Sequence, residues 1–131
     1  MKTKTSKSPT GKHIFVVEDD VVISRLLQHM FARRGYDVQF ADNGQAALNL
    51  IENGEVPALV LLDVMLPFMD GFELIDRIRW KSGWKRVPII MLTSKSQEQS
   101  IVRALDAGAT DYIIKPFQPE ELMARVRRFI K

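Results

Sequence analysis

The chain has 131 residues, 46% of them hydrophobic and 27% charged, which suits one domain built around a single core. It contains no cysteine, so disulfides, thiolate metal sites and thiol nucleophiles are excluded. No apolar run approaches the roughly 20 residues that a membrane-spanning helix requires.

The net charge of +3 is a property of the N-terminus and not of the whole chain. Residues 1–12 hold four lysines and no acid, whereas residues 13–131 hold 15 Lys and Arg against 16 Asp and Glu. A short tail rich in Lys, Ser and Thr is typical of a solvated segment. We therefore expect residues 1–12 to form a disordered basic leader, and residues 13–131 to form the domain.

Strand and helix patterns alternate through the first half of the chain. Residues 13–17 predict a buried strand that ends on three acids, and a helix follows that Gly35 closes. Residues 36–41 alternate like an edge strand, and Asp42-Asn43-Gly44 caps a second helix that ends at residues 53–54. The residues predicted to face the core from these two helices are Ile23, Leu26, Leu27, Met30, Phe31, Ala46, Ala47, Leu50 and Ile51.

The same alternation continues to the C-terminus. Further strands are predicted at residues 58–62, 87–92 and 111–114. Helices are predicted to begin at Asp70-Gly71, at a capping box over residues 96–99 and at Pro119. Their inward residues are predicted to be Leu74, Ile75, Ile78, Ile101, Ala104, Leu105, Leu122, Val126, Phe129 and Ile130. Trp80 and Trp84 are expected to pack on the domain at a helix end, with an exposed partner-binding patch as the alternative.

Five strands that alternate with five helices, joined by short connections, predict an α/β domain with a parallel sheet and right-handed crossovers. Four of the strands end in polar residues, and the carboxyl ends of parallel strands meet at one edge of the sheet. The side chains expected to converge there are Glu18, Asp19, Asp63, Thr93 and Lys115.

This set of side chains carries unbalanced charge. Two like charges about 4 Å apart cost on the order of 4 kcal/mol at an effective dielectric near 20. Three carboxylates and the single lysine at position 115 leave a surplus of negative charge. A hard divalent cation with oxygen ligands neutralises it, and Mg²⁺ is the common choice where phosphate chemistry follows.

The residue types narrow the chemistry further. His13 and His29 lie away from this edge, so a Ser–His nucleophile is disfavoured. No nucleotide-binding glycine motif occurs in the sequence. A carboxylate can itself attack phosphorus, which makes Asp63 the candidate nucleophile. Lys115 would then stabilise charge on the phosphoryl oxygens, and Thr93 could donate its hydroxyl to the new phosphoryl group.

Four segments together resemble the receiver domain of two-component response regulators. They are VVEDD (16–20), LLDVMLPFMDG (61–71), MLTS (91–94) and DYIIKPF (111–117). The resemblance spans residues 13–131. It implies a flavodoxin-like, doubly wound (βα)5 fold with helices on both faces and strand order 2-1-3-4-5. It also implies a cytoplasmic signalling phosphoacceptor that assists only its own phosphorylation and dephosphorylation, and that is therefore not an enzyme.

The resemblance also assigns roles to residues. Asp63 would accept a phosphoryl group from a histidine kinase, a phosphotransfer protein or a small donor such as acetyl phosphate. Asp19 and Asp63 would ligate Mg²⁺ with the backbone carbonyl of Met65, and Glu18 would act in the outer sphere. Lys115 would pair with the phosphoryl oxygens, and its bond to Pro116 is typically cis in the family.

Thr93 and Tyr112 would form the switch pair of such a domain. Their movement would reshape the face made by the fourth helix, fifth strand and fifth helix, which would control a downstream protein or a fused output domain. The C-terminal third resembles receivers of DNA-binding regulators that dimerise through this face. Asp111, Glu121 and Arg125 occupy positions where partners across a two-fold axis are expected.

Two other functions compete with this interpretation. An aspartate-nucleophile phosphatase typically needs Asp-x-Asp after the first strand and a cap domain, whereas Val21 follows Glu18-Asp19-Asp20 here. A flavodoxin-like cofactor binder shares the fold, but an acidic pocket repels the phosphate of FMN. Asp20 is expected to be a cap or water-shell residue of the first helix and not a direct metal ligand.

Overall fold

The computed structural model describes residues 12–67, 69–94 and 98–130. Residues 1–11 of the predicted leader and residues 96 and 97 of the predicted capping box lie outside the described residues. The elements, in chain order, are β1 (His13–Val17), α1 (Val21–Ala32), β2 (Asp37–Ala41), α2 (Gly44–Asn53), β3 (Leu59–Asp63), α3 (Gly71–Trp80), β4 (Ile89–Thr93), α4 (Glu98–Ala107), β5 (Asp111–Ile114) and α5 (Pro119–Phe129).

All five strands lie in one parallel sheet with the order β2-β1-β3-β4-β5, as expected. The register brings the carboxyl ends of the central strands level, because Asp63 of β3 pairs with Leu92 and Thr93 of β4 pairs with Ile114. The edge strand β2 alternates exposed and half-buried residues, whereas every residue of β3 is buried. The chemistry-bearing side chains therefore start from one edge of the sheet.

The two faces of the sheet carry separate hydrophobic cores. Leu59 and Leu61 of β3 contribute to the core under α1 and α5. Val60 and Leu62 contribute to the core under α2, α3 and α4. Because successive strand residues point to opposite faces, a strand covered on both sides must be apolar throughout. This explains why β3 reads as an unbroken apolar run up to its last residue.

Three predicted core positions are wrong. Leu26 and Leu105 were expected to face inward, and both are exposed. Leu26 lies next to buried Leu27, and Leu105 lies next to buried Ala104, so each falls on the solvent-facing flank of the apolar stripe of its helix. Trp80 is also exposed, although its neighbour Trp84 is buried as expected.

The end of α3 is fixed by a guanidinium group that binds backbone carbonyls. Arg79 donates through Nη1 to the carbonyl oxygens of Lys85 (2.9 Å), Val87 (2.8 Å) and, at 3.4 Å, Trp84. Its Nε and Nη2 donate to the carbonyl of Gly108 at 3.0 and 2.7 Å. Burial lowers the pKa of Arg79 from its ordinary value. The residue thus ties the end of α3 to the segment that enters β4 and to the α4–β5 turn.

We expect Arg79→Leu to lower the free energy of unfolding by about 2–3 kcal/mol, because it leaves four carbonyl oxygens without their charged donor. Urea denaturation measures the change. The matched control is Arg77→Leu, an exposed position of the same helix, where a change within about 0.5 kcal/mol is expected. Equal effects at the two positions would contradict the role assigned to Arg79.

Candidate functional site

Three carboxylates meet at the carboxyl edge of the sheet. Glu18 and Asp19 follow β1, and Asp63 is the last residue of β3. One oxygen from each lies within 4.8 Å of the others. Glu18 and Asp63 are buried, whereas Asp19 is exposed. The structure therefore brings together the three acids that the strand pattern predicted to converge.

Lys115 joins two of these acids. Its Nζ lies 2.8 Å from Oε1 of Glu18 and 3.3 Å from Oδ2 of Asp63. The lysine follows β5 directly, and its peptide bond to Pro116 is cis. One ammonium group thus offsets part of the repulsion between carboxylates that lie on neighbouring strands.

Gly71 allows the loop after β3 to return against the backbone of Asp63 and Val64. Oδ1 of Asp63 accepts a hydrogen bond from the N–H of Met65 at 3.1 Å, and the N–H of Gly71 donates to the carbonyl of Val64 at 2.9 Å. A Cβ on Gly71 would lie 2.7 Å from the carbonyl oxygen of Asp63. From the sequence Gly71 was expected to start a helix; in the structure, the return of the chain to Asp63 also requires a residue without a side chain at this position.

The three acids that follow β1 (Glu18, Asp19 and Asp20) make different contacts. Oε2 of Glu18 accepts the N–H of Asp20 at 3.1 Å, which orients the carboxylate of Glu18. The side chain of Asp20 accepts the N–H groups of Val22 and Ile23 at 2.8 and 3.2 Å, and so caps α1 as predicted. Asp19 is exposed, and one of its carboxylate oxygens belongs to the cluster with Glu18 and Asp63.

Burial and charge tune the protonation of the site. Burial raises the pKa of Glu18 to about 7, and the nearby charge of Asp63 adds to this, while Lys115 and the Asp20 N–H oppose it. Burial alone would lower the pKa of Lys115, but its contacts with Glu18 and Asp63 outweigh that effect and raise the pKa. The lysine is therefore charged at neutral pH, where Glu18 is close to its titration midpoint.

The donor set fits a magnesium ion. Glu18, Asp19 and Asp63 supply only oxygen ligands, and even with Glu18 partly protonated their negative charge exceeds the single positive charge of Lys115. Hard divalent cations prefer such oxygen ligands, and a surplus of negative charge favours their binding.

Thr93 and Tyr112 lie on the neighbouring strands β4 and β5. Thr93 is the buried last residue of β4, and its carbonyl accepts the N–H of Lys115 at 2.6 Å. Tyr112 pairs with Met91 in the sheet and is half-buried. The structure thus puts the predicted switch residues on adjacent strands, with Thr93 directly beside Lys115 in the backbone.

The three residues predicted to contact a second copy already contact each other within one chain. Nη1 of Arg125 lies 3.0 and 2.9 Å from the two carboxylate oxygens of Asp111, and Nη2 lies 3.5 Å from Glu121. The Asp111 contact raises the pKa of Arg125. Asp111 also accepts the N–H of Tyr112 at 2.8 Å, so this network is continuous with β5.

Residues 14–127 match the model of the response regulator receiver domain. The chain belongs to this family. This match confirms the expected family, and the strand order β2-β1-β3-β4-β5 confirms the expected fold. The comparisons do not support the alternative of an aspartate-nucleophile phosphatase.

Two relatives of this receiver domain are transcriptional regulators. The alkaline phosphatase synthesis transcriptional regulatory protein PhoP of Bacillus subtilis is 44% identical over 121 residues, which cover 92% of this chain and 49% of PhoP. The transcriptional regulatory protein SrrA of Staphylococcus aureus is 41% identical and is matched over 92% of this chain and 48% of SrrA. The chain spans about half the length of these relatives.

Solved receiver structures have the same fold. The receiver domain of sensor histidine kinase PA1611 from Pseudomonas aeruginosa, with a magnesium ion coordinated in its active site cleft, superposes with a TM-score of 0.83 at 33% identity. The match covers 92% of this chain and 98% of that domain. Chemotaxis response regulator CheY4 of Vibrio cholerae gives 0.84 at 31% identity and covers 89% and 97%. In the described part of this receiver domain, no helix is long and apolar enough to cross a membrane.

The raised pKa of Glu18 predicts a pH dependence of stability in the metal-free protein. Unfolding returns this pKa from about 7 to 4.5, so the folded state binds the extra proton between these values. The contribution of Glu18 to the free energy of unfolding therefore falls as pH rises through that window. Lys115 stays charged throughout, because its pKa is raised.

Urea denaturation in EDTA, carried out from about pH 5 to about pH 8, tests this dependence. The stability of the wild type relative to Glu18→Gln should fall as pH rises, because glutamine does not titrate. A difference that stays flat across the window would show that Glu18 ionises normally in the folded protein.

Proposed function

We propose that Asp63 is the phosphoacceptor of this receiver domain and that Lys115 is its charge partner. The observation that carries the proposal is the contact of the Lys115 Nζ with both Asp63 (3.3 Å) and Glu18 (2.8 Å) in a cluster of three carboxylates. A lysine placed against a buried carboxylate at the carboxyl edge of a parallel sheet is suited to phosphoryl transfer.

The reaction is an in-line displacement at phosphorus. A carboxylate oxygen of Asp63 attacks the phosphoryl group of a phosphohistidine on a histidine kinase or phosphotransfer protein. The new P–O bond forms as the P–N bond breaks, and the imidazole nitrogen takes the electron pair and then a proton. Acetyl phosphate serves in the same way, with acetate as the leaving group. Lys115 stabilises charge on the equatorial oxygens during the transfer.

Asp19 and Asp63 would hold Mg²⁺ together with the backbone carbonyl of Met65. Glu18 would act in the outer sphere, which agrees with its contacts to Lys115 and to the Asp20 N–H. When bound, the ion supplies positive charge to the phosphoryl oxygens. The exposed carboxylate of Asp19 is suited to capture the ion from solvent.

Thr93 and Tyr112 would read the phosphorylated state. A phosphoryl group adds about −1.5 to −2 charge and three acceptor oxygens, which the Thr93 hydroxyl and the Lys115 ammonium can bind. A turn of Thr93 toward Asp63 gives Tyr112 room to move inward, and this reshapes the α4-β5-α5 face. A local change of charge thereby biases a two-state surface.

The output of this domain is control of another protein or of a fused output domain. The domain itself acts as a signalling phosphoacceptor in the cytoplasm and not as an enzyme, and it makes no direct contact with nucleic acid or a membrane. The receiver domain spans residues 13–131.

A weak homodimer through the α4-β5-α5 face is the second part of the proposal. Asp111, Glu121 and Arg125 would pair across a two-fold axis. Since Arg125 binds both acids within one chain, dimer formation must exchange these contacts for equivalent ones in the partner. Such an exchange yields little net energy, which is consistent with weak association.

The phosphoacceptor is tested with acetyl phosphate and Mg²⁺ on a phosphate-affinity gel. The wild type should give a slower band, Asp63→Asn should give none, and EDTA should abolish the band. We expect Lys115→Ala to slow phosphorylation by about 10²-fold, since it removes one charge-stabilising group. Asp76→Ala, at an exposed position of α3, is the matched control. A shifted band with Asp63→Asn would assign the phosphoryl group to another residue.

The dimer is tested by sedimentation velocity with and without acetyl phosphate. The phosphorylated wild type should show a concentration-dependent increase in mass. Arg125→Glu should abolish it, because it reverses the charge opposite both acids. The control Arg127→Glu changes the charge of the same helix at an exposed position and should leave the increase intact. Dimerisation of Arg125→Glu at the wild-type level would exclude this pairing.

A further inference from the structure

The end of α3 carries an exposed aromatic ring beside two cations. A cleft of about 450 Å³ is lined by Trp80, Ser82, Gly83, Lys85 and Arg86. We call it the Trp80 cleft. Trp80 is 77% exposed, although a large apolar ring ordinarily avoids water. Exposed tryptophan and arginine are the residue types that dominate binding hot spots.

The frame of the Trp80 cleft is rigid. Trp84 is 2% exposed and meets Phe15 edge to face, with ring centroids 6.3 Å apart. Arg79 donates hydrogen bonds to the carbonyl oxygens of Lys85 and Val87. The backbone that carries Lys85 and Arg86 is thereby fixed before any ligand arrives, which reduces the entropic cost of binding.

The segment that carries the Trp80 cleft is positively charged. Residues 77–86 contain five cations and no acid. Arg79 is engaged with carbonyls, and Lys81 donates to the carbonyl of Glu52. Lys85 and Arg86 are exposed, and neither forms an ion pair with any residue that the structure describes. They offer two positive charges to an anionic group.

An apolar side chain completes the surface. Val56 is 48% exposed, and its Cγ2 lies 3.4 Å from the position of a Cβ on Gly83. Gly83 has a φ of +88°, so the turn favours glycine and keeps the cleft open beside Val56. The cleft therefore combines two cations with apolar surface on a fixed turn.

We propose that the Trp80 cleft binds an acidic segment of a partner protein. An apolar side chain of that segment packs against Trp80, and its carboxylates pair with Lys85 and Arg86. The cleft is concave and accommodates a few side chains, which suits a peptide better than an extended surface. The exposed acid Asp76, one helical turn before Trp80, limits the positive surface to the cleft, whereas a phosphate backbone or an anionic bilayer needs an extended positive surface.

The Trp80 cleft is independent of the phosphorylation chemistry. α3 begins at Gly71, beside Asp63, and ends at Trp80, so its 10 residues separate the two sites by about 15 Å of helix. A partner bound at the cleft leaves Asp63 and Lys115 uncovered. Failure of binding at the Trp80 cleft would therefore leave the role assigned to Asp63 unaffected.

The test selects peptides from a random phage-displayed library on the full chain. Enriched sequences are synthesised with a fluorophore, and their affinity is measured by anisotropy. We compare the wild type with Trp80→Ala and with the double variant Lys85→Glu, Arg86→Glu. Arg127→Glu is the matched control, because it reverses an exposed charge elsewhere. Both test variants change exposed side chains independently, so each remains informative if the other fails to fold.

We expect the enriched peptides to combine acidic residues with an apolar residue. Each test variant should weaken their binding about tenfold or more, and the control should not. Enrichment without acidic residues, or equal affinity for all variants, overturns the proposal. Tighter binding to vesicles of phosphatidylcholine and phosphatidylserine, or to oligothymidylate, lost in the same variants, also overturns it in favour of a lipid or nucleic acid surface.

Discussion

The contact of Lys115 with Glu18 and Asp63 is the interaction on which the site depends. Two buried carboxylates on adjacent strands would repel each other strongly without a cation between them. The lysine offsets this repulsion only in part, because Asp19 adds a third negative charge. The remaining negative charge favours the binding of a divalent cation, which the proposed phosphoryl transfer to Asp63 would use.

The parallel sheet makes that contact possible. Strands β1, β3 and β5 run in the same direction, so the residues at their carboxyl ends reach one edge although they are far apart in sequence. The sheet is covered on both faces, which leaves its edge as the place where polar side chains can gather. Gly71 completes the arrangement, because only a residue without Cβ lets the following loop return against Asp63.

The C-terminal end of α3 is stabilised by hydrogen bonds and packing. There, Arg79 satisfies four carbonyl oxygens and Trp84 fills the core against Phe15, so the loop is held by packing and hydrogen bonds and not by ion pairs. A rigid scaffold lets exposed side chains keep a defined arrangement. One helix thus connects the acidic cluster beside Asp63 with a basic, aromatic surface on the loop that follows Trp80.

The sequence by itself determined the elements, the parallel sheet and the acids that meet at its edge. Period-2 and period-3.6 patterns are local, and polar residues at strand ends need only a common strand direction to converge. Helix caps such as Asp20 were likewise readable, since a cap bonds within three residues of itself. The wrong positions, Leu26 and Leu105, arose because periodicity does not tell which flank of an apolar stripe stays in contact with the sheet.

Only the tertiary structure decided which groups touch. The sequence offered Arg125 as a contact to a second copy, and folding pairs it with Asp111 and Glu121 in the same chain. The sequence predicted the same packing for both tryptophans, whereas the fold buries Trp84 and leaves Trp80 exposed. These outcomes depend on distances between segments far apart in sequence, and such distances are fixed only when the sheet and its helices pack together.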